Sequence, residues 1–191
     1  MAALSVAIAN FLFTLVAFVL IDRVGRRRIL LYSIPIMVVG LFLCAVAFNF
    51  VDLSGKYGEA TGSITSDESQ QERWSFVILI AMIVYVCGYA IGLGNVPWQQ
   101  SELFPYSVRS LGSSLSTATN WGSNFFIGLT FLPMMNLITP MGTFALYGLV
   151  CMGGWGLIWR IYPETCGLSL EEVGGLLQHG WGVRESLHRF D

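Results

Sequence analysis

The distribution of charged residues is the feature of this sequence that most restricts its fold. Only 12% of the 191 residues are charged, against about 25% in an ordinary soluble domain. The charges leave four uncharged runs, at residues 1–21, 29–51, 74–101 and 110–159. A helix needs about 20 apolar residues to cross a bilayer, so each of the first three runs predicts one span. The fourth has 50 residues; because a single helix of that length would measure about 75 Å, it must fold back.

We therefore predict an all-α membrane protein with five transmembrane helices. Pro133, Asn136 and residues 139–142 (Thr-Pro-Met-Gly) are typical of a turn that divides the fourth run. The predicted spans are residues 2–21, 30–50, 75–98, 112–132 and 143–161, which together form a transmembrane domain over residues 1–162. The polar, acidic segment 52–73 is predicted to be an external surface loop, and residues 163–191 a cytoplasmic tail.

The basic residues indicate the orientation of the chain. Cytoplasmic loops of membrane proteins carry more Lys and Arg than external loops. Five alternating spans place only Lys56 and Arg73 on one side and eight arginines on the other, namely Arg23, Arg26, Arg27, Arg28, Arg109, Arg160, Arg184 and Arg189. We expect the arginine-rich side to be cytoplasmic, with the N-terminus outside and the C-terminus inside, in a multi-pass protein of the plasma membrane.

The sequence carries none of the short motifs that mark enzymes or cofactor sites. No GxGxxG, Walker or HExxH pattern occurs, and the four cysteines form no CxxC pair. No basic patch of the kind that binds nucleic acid is present. We therefore expect a protein that is not an enzyme and that has no cofactor, no metal site and no nucleic-acid partner.

The third span ends in the segment GNVPWQQSELFPYSVRS (residues 94–110), which contains more than a membrane anchor needs. Pro97 has no N–H and crowds the carbonyl of Leu93, so the helix is predicted to kink or unwind there. Broken helices at membrane depth line cavities, and transporters use them to bind substrates. Shortly before the break, Gly88 and Gly92 form a pair of small residues that lets another helix approach closely.

Trp98 has two possible roles on residue chemistry alone. It lies four residues before Glu102, a position that favours an interfacial tryptophan at the level of the lipid headgroups. The alternative is an aromatic ring in a cavity, stacked on the C–H face of a sugar or cyclitol.

Polar residues of the fourth span share one helix face. Ser113, Asn120 and Asn124, with Ser116 or Thr117 between them, recur at intervals of three or four residues. The two asparagines lie near the middle of a hydrocarbon layer roughly 30 Å thick, where an unpaired amide is costly. Their face must therefore meet other helices or water. Hydrogen bonds between helices and a ligand site both remain open as explanations.

Six charged residues lie at the cytoplasmic ends of the predicted spans. Separately they could be solvated side chains, whose exposed ion pairs contribute at most about 1 kcal/mol. Together they could hold the helix ends while the cytoplasmic mouth is closed. We call this set the gate residues: Asp22, Arg26, Arg27, Glu102, Arg109 and Glu164.

Four segments give the chain a family resemblance. DRVGRRRIL, VPWQQSELFPYSVRS, ATNWGSNF and PETCGLSLEEV resemble, in this order, the second half of a sugar porter of the major facilitator superfamily. The resemblance extends from about residue 3 to residue 175 and implies that the five spans are helices 8–12 of a twelve-helix fold. The strings VPWQQSELFP and TATNW are most similar to the fungal myo-inositol–proton symporters.

The resemblance implies roles for individual residues. It places Trp98 in the sugar site rather than at the interface. Asn120, Trp121 and Asn124 correspond to the polar and aromatic region of helix 11 that lines the same site. Asn95, which stands where most sugar porters have proline, is included in the predicted substrate site. The gate residues correspond to the charge network that stabilises the outward-facing state.

The predicted function is transmembrane transport of a sugar or polyol, with proton-coupled myo-inositol uptake as the leading interpretation. The partners implied are the substrate, protons, the lipid bilayer and the missing N-terminal half. Apart from Arg160, at the end of the fifth span, no Asp, Glu, His, Lys or Arg lies inside a predicted span, so we expect the proton-linked group to lie outside this chain. Such porters bind substrate between two halves, and we expect this truncated part not to transport alone. A hexose or pentose carrier, a non-transporting nutrient sensor and an inactive fragment remain alternatives.

Overall fold

The computed structural model describes residues 2–61, 64–96 and 104–165. In these ranges the chain forms five α-helices, one short 3₁₀ segment and no strand. The helices are α1 (Ala2–Val24), α2 (Arg26–Thr61), α3 (Ile64–Ile91), α4 (Arg109–Ile138) and α5 (Pro140–Ile161), and the 3₁₀ segment is Leu93–Asn95. The prediction of an all-α protein with five helices is confirmed.

Four of the described helices are long and apolar enough to cross a membrane. The apolar stretches are Ala3–Ile21, Arg26–Val51, Arg73–Ile91 and Pro140–Ile161. The remaining helix, α4, has 30 residues and is therefore about 45 Å long, which is sufficient for a span. Its serines, threonines and asparagines make it less apolar than the membrane-spanning stretches of the other four helices.

The backbone over residues 52–73 differs from the predicted loop. Helix α2 continues to Thr61 and α3 already begins at Ile64, so most of this segment is helical. The segment contains no proline, and its end at residues 68–73 (Glu-Ser-Gln-Gln-Glu-Arg) consists mostly of good helix formers. Low hydrophobicity was therefore a poor guide to backbone conformation here.

Helix α2 is the centre of the packing. It lies between α3 and α5, while α1 packs mainly on α3, and α4 packs mainly on α5. Most of the buried apolar side chains among the described residues belong to α2, including Ile29, Leu30, Ile34, Met37, Leu41 and Cys44. In contrast, α4 has no buried residue.

The contact between α2 and α3 is close because glycines lie on it. A Cβ atom on Gly88 would stand 2.9 Å from Met37 Cγ, and one on Gly92 would collide with Ser33 Oγ. On α2, a Cβ on Gly40 would stand 2.9 Å from the main-chain nitrogen of Tyr85. The prediction that Gly88 and Gly92 admit a neighbouring helix is confirmed, and that helix is α2.

The contact between α2 and α5 includes a hydrogen bond that depends on a proline. Pro35 lies inside α2 and has no N–H to donate to the carbonyl four residues back, that of Leu31. Trp155 of α5 donates its indole N–H to this carbonyl at 3.0 Å. The backbone acceptor that the proline leaves without a helical donor is thus satisfied by the neighbouring helix.

The turn predicted within the fourth uncharged run lies at Thr139. This residue has φ 78°, a conformation uncommon outside glycine, and its hydroxyl accepts a hydrogen bond from Gly142 N at 3.4 Å. Pro140 follows at the start of α5, where its fixed φ suits a helix. Pro133, in contrast, lies inside α4, so the turn is sharper than the sequence indicated.

Candidate functional site

The break at the end of α3 starts at Gly92. Helix α3 ends at Ile91, Gly92 has φ −107° and ψ −81°, and the chain continues as the 3₁₀ segment Leu93–Asn95. The N–H of Val96 donates to Leu93 O, which closes this segment. The unwinding predicted around residues 93–97 is therefore present in the described part, and it begins a few residues before Pro97.

The predicted substrate residues at this break are only partly described. Asn95 is the last residue of the 3₁₀ segment, which contacts α1, α2 and α3. The structure describes the backbone of Asn95 but not its side chain. Trp98 lies outside the described residues. Because α4 packs mainly on α5, Asn95 and the residues predicted on α4 lie on elements with different neighbours.

The polar and aromatic residues of α4 form an exposed face. Trp121 is 69% exposed, and Asn120 and Asn124 are exposed beside it. Asn124 Nδ2 donates to the carbonyl of Asn120 at 3.0 Å, which fixes the amide along the helix. We call Asn120, Trp121 and Asn124 the α4 face.

Other hydroxyls on α4 also bond to the helix itself. Ser114, Thr119 and Thr130 each donate to the carbonyl four residues earlier, at 2.8 Å. Two explanations were left open for the polar residues of this helix, hydrogen bonds between helices and a ligand site. Because these bonds stay within α4, they do not support the first. The α4 face instead remains accessible to other parts of a larger protein or to a ligand.

Glu164 forms the centre of the predicted gate. Its side chain is 1% exposed, and its two carboxylate oxygens accept the main-chain N–H groups of Arg26 and Arg27 at 2.9 and 3.1 Å. Arg26 is the first residue of α2 and follows Gly25, whose φ is 93°. A carboxylate at this position satisfies N–H groups that have no helical acceptor and interacts favourably with the helix dipole.

The arginine side chains add contacts between the same two helix ends. Arg27 Nη2 donates to the carbonyl of Trp159 at 2.7 Å, and Arg26 Nη1 to Thr165 Oγ1 at 3.5 Å. The structure therefore brings together Arg26, Arg27 and Glu164 and joins the start of α2 to the end of α5. Trp159 and Thr165 take part as well, although no sequence signal pointed to them.

Arg109 makes its described contacts locally. Its Nε and Nη2 atoms both lie 3.4 Å from the carbonyl oxygen of Phe104, to which they donate. Its guanidinium carbon lies 4.2 Å from the centroid of the Tyr106 ring, a distance suited to a cation–π contact. Of the other gate residues, Glu102 lies outside the described residues, and only the backbone of Asp22, in the last turn of α1, is described.

Tyr162, which the sequence reasoning missed, lies between the end of α5 and Glu164. Burial raises the pKa of its phenol above the ordinary value. The positive charge of Arg26 opposes this change in pKa, whereas the negative charge of Glu164 adds to it. The phenol of Tyr162 therefore stays neutral up to a higher pH than that of an exposed tyrosine.

Comparison with known proteins identifies the family. The sequence profile of the family described as "Sugar (and other) transporter" matches residues 1–177, which is more than half of the chain. The chain belongs to the sugar transporter family. The resemblance that the four sequence segments indicated is thereby confirmed.

Two relatives of this sugar transporter chain are named for myo-inositol. It is 45% identical over 183 residues to Myo-inositol transporter 1 of Cryptococcus neoformans var. grubii, a match that covers 96% of this chain and 31% of the relative. It is 46% identical over 178 residues to Myo-inositol transporter 1 of Saccharomyces cerevisiae, with coverage of 93% and 30%. The chain thus spans about a third of the length of these relatives.

Solved structures show the same relationship for the fold. The proton:xylose symporter XylE bound to 6-bromo-6-deoxy-D-glucose superposes with a TM-score of 0.73 at 26% identity, and the match covers 92% of this chain and 34% of XylE. The inward open form of the xylose transporter XylE from E. coli gives a TM-score of 0.71 at 27% identity, with coverage of 92% and 35%. This sugar transporter chain is therefore a multi-pass membrane protein with part of a major facilitator fold.

Proposed function

We propose that the chain is the C-terminal part of a transporter that carries myo-inositol into the cell, coupled to protons. The observation that carries this proposal is the α4 face, where two amides and an indole ring stand exposed on a membrane helix. Sequence relatives named myo-inositol transporters support the choice of substrate.

The chemistry of the α4 face suits a polyhydroxylated ring. An amide offers both donors and acceptors, so Asn120 and Asn124 can bind neighbouring hydroxyl groups of a cyclitol. The exposed ring of Trp121 offers an apolar surface to the C–H face of the substrate. Water could satisfy the same amides, but a membrane helix that keeps two asparagines and a tryptophan exposed together needs a polar neighbour at membrane depth.

The broken end of α3 would supply the second wall of this site. Unwinding at Gly92 releases main-chain groups from the helical hydrogen-bond pattern, and transporters use such groups to hold substrates. In the proposal, Asn95 and Trp98 complete the site from this side, while the missing N-terminal half encloses it. Helices α1 to α5 would then be helices 8–12 of the complete transporter.

The contacts of Glu164 with Arg26 and Arg27 support a role for the gate residues. They join the ends of α2 and α5 through a buried carboxylate, as a device that holds helix ends together would require. We propose that Asp22, Glu102 and Arg109 extend this cluster when the inner mouth of the transporter is closed. In the plasma membrane, the gate residues would face the cytoplasm. The N-terminus of this chain would then lie on the external side.

The proton-linked group of the proposed transporter would lie outside the described spans. Apart from Arg160, at the end of the fifth span, the predicted spans contain no Asp, Glu, His, Lys or Arg, so the proton-linked group would belong to the N-terminal half. The substrate would cross unchanged, because the chain offers no constellation for chemical catalysis in the residues described. A hexose or pentose carrier is the second candidate, favoured by the structural similarity to XylE.

Uptake measurements test this proposal. Radiolabelled myo-inositol, glucose and xylose are offered to transport-deficient cells that express either this chain or the chain extended upstream in its own gene. We expect uptake of myo-inositol by the extended form only. Uptake of a hexose or pentose instead would reject the substrate, and uptake by the 191-residue chain alone would reject the two-half architecture.

Substitutions on the α4 face sharpen this experiment. In the extended form, Asn120→Ala and Asn124→Ala should each raise the KM for myo-inositol by about tenfold, the effect of losing one buried hydrogen bond of about 1.4 kcal/mol. Ser114→Ala is the matched control, because Ser114 lies on the same helix and its hydroxyl bonds only to the carbonyl of Ser110 in the described contacts. An unchanged KM in both asparagine variants would remove the α4 face from the substrate site.

A further inference from the structure

Prolines lie inside two of the described helices, and their surroundings differ. Pro35 in α2 leaves Leu31 O without a helical donor, and Trp155 of α5 supplies one. Pro133 in α4 likewise has no N–H to donate to the carbonyl of Leu129, four residues back. No side chain among the described residues donates to Leu129 O. The break in the hydrogen bonds of α2 is therefore closed by a neighbouring helix, whereas no described side chain closes the one in α4.

Two further features weaken α4 at the same place. Thr130 Oγ1 donates to Phe126 O at 2.8 Å and to Ile127 O at 3.3 Å, and hydroxyl bonds of this kind often bend helices. An added Cβ on Gly128 would meet nothing within 4 Å, so packing does not restrain this residue, and a glycine backbone is more flexible than any other. We call residues 128–133 the α4 hinge.

Aromatic contacts anchor the C-terminal end of α4. The ring of Phe131 stacks on Tyr147 and meets Phe144 edge-on, with 6.3 Å between the centroids in both pairs. Phe144 in turn stacks on Phe48 of α2 at 5.2 Å. Only Thr139 then connects α4 to α5. The end of α4 is therefore held against α5 and, through Phe144, against α2.

The part of α4 before the hinge, residues 109–127, has no buried side chain. An added Cβ on Gly122 would meet nothing within 4 Å. Asn120 and Asn124 lie eleven and seven residues before Phe131, intervals that place all three on the same side of the helix. The α4 face is therefore directed to the side on which α5 lies, yet it is exposed. The two helices must diverge from Phe131 towards the start of α4.

We propose that the α4 hinge lets residues 109–127 move as one helix relative to α5, which carries the α4 face towards that helix and away from it. Leu115 lies 18 residues before Pro133, or about 27 Å along the helix. A change of about 20° in the bend at the proline would move it by about 9 Å. The motion itself needs no substrate. Only its use in binding a sugar or cyclitol rests on the proposed function.

Distances between spin labels test the hinge. The 191-residue chain is reconstituted in phosphatidylcholine nanodiscs with a spin-labelled unnatural amino acid at two positions, so that the native cysteines remain. One label replaces Phe18 on α1, which packs mainly on α3. The other replaces either Leu115, before the hinge, or Leu137, after it; all three residues are exposed. In double electron–electron resonance, we expect the distribution of distances from Phe18 to be broader by about 9 Å for Leu115 than for Leu137.

Two substitutions locate the motion. Pro133→Ala restores the N–H that Leu129 O lacks, so the broader distribution should narrow to the width found after the hinge. Gly122→Ala is the matched control: it also favours the helix and its added Cβ meets nothing, but it lies before the hinge, so the width should remain. Equal widths before and after the hinge in wild type would overturn the proposal, as would a width that Pro133→Ala reduces no more than Gly122→Ala does. Because no substrate is added, a failure of the proposed transport function would leave these outcomes unchanged.

Discussion

The carboxylate of Glu164 accepts the main-chain N–H of Arg26 at 2.9 Å, across 138 residues of sequence. It also accepts the N–H of Arg27, so one buried side chain from beyond α5 caps the first turn of α2. A cap of this kind depends on the relative position of two helix ends. The cap therefore reports whether the start of α2 stays joined to the segment that follows α5.

Removal of this cap should destabilise the chain. Glu164→Ala leaves two N–H groups at the start of α2 without acceptors, at a cost of about 1–3 kcal/mol. Glu164→Gln retains one acceptor oxygen and should lose less. Denaturant unfolding in detergent micelles, followed by far-UV circular dichroism, measures the difference. Arg23→Gln, an exposed change nearby, serves as the control, and equal stability of Glu164→Ala and wild type would contradict the capping role.

The hydrogen bond from Trp155 to Leu31 O should be worth most when Pro35 is present. Trp155→Phe leaves the Leu31 carbonyl without its donor, which should reduce the free energy of unfolding by about 1 kcal/mol. Pro35→Ala restores the missing helical N–H, so Trp155→Phe should cost less in that background. A double-mutant cycle on these two positions measures the coupling. Strict additivity of the two substitutions would show that Trp155 does not substitute for the donor that Pro35 lacks.

Much of the helical framework could be predicted from the sequence, because charge is costly in a bilayer. The uncharged runs located the membrane helices. Of the residues predicted to form the turn, residues 139–142 include the turn at Thr139, whereas Pro133 and Asn136 lie inside α4. The loop predicted over residues 52–73 failed for a physical reason: polar residues such as glutamate and lysine leave the membrane but still favour helices. The composition of that segment predicted a position outside the membrane, but it did not predict the backbone conformation.

Long-range contacts of the candidate site could be predicted only in part. The predicted gate residues included Arg26, Arg27 and Glu164. The sequence did not reveal that the carboxylate of Glu164 binds main-chain N–H groups, because this depends on where α5 ends relative to α2. The presence of Pro35 is enough to predict that the Leu31 carbonyl has no helical donor. That Trp155 supplies a donor could be learned only from the packing of the two helices. The predicted roles of Trp98 and Glu102 concern residues outside the described ranges.

The close contact between α2 and α3 predicts that a methyl group added at Gly92 strongly lowers the stability of the chain. Gly92→Ala would bring its new Cβ into Ser33 Oγ, forcing the helices apart and destabilising the chain by about 1–3 kcal/mol. Ser33→Ala removes the colliding oxygen and should recover part of this loss. Gly153→Ala is the matched control, because nothing lies within 4 Å of its added Cβ. Unfolding measurements that rank Gly92→Ala and Gly153→Ala as equal would reject the proposed tightness of the α2–α3 contact.

The raised pKa of Tyr162 predicts a loss of stability in alkaline solution. Its ordinary value is 10.0 and burial raises it in the folded state, so the neutral phenol stabilises the fold fully below pH 10. This contribution is lost as the pH rises through the higher, folded-state pKa. Phenolate absorbance at 295 nm should show a component that titrates late, and Tyr162→Phe should reduce its amplitude by one of the seven tyrosines. Since the negative charge of Glu164 also raises this pKa, Glu164→Gln should shift the same component to lower pH. A late component of unchanged amplitude in Tyr162→Phe would show that Tyr162 does not contribute to it and would contradict the prediction.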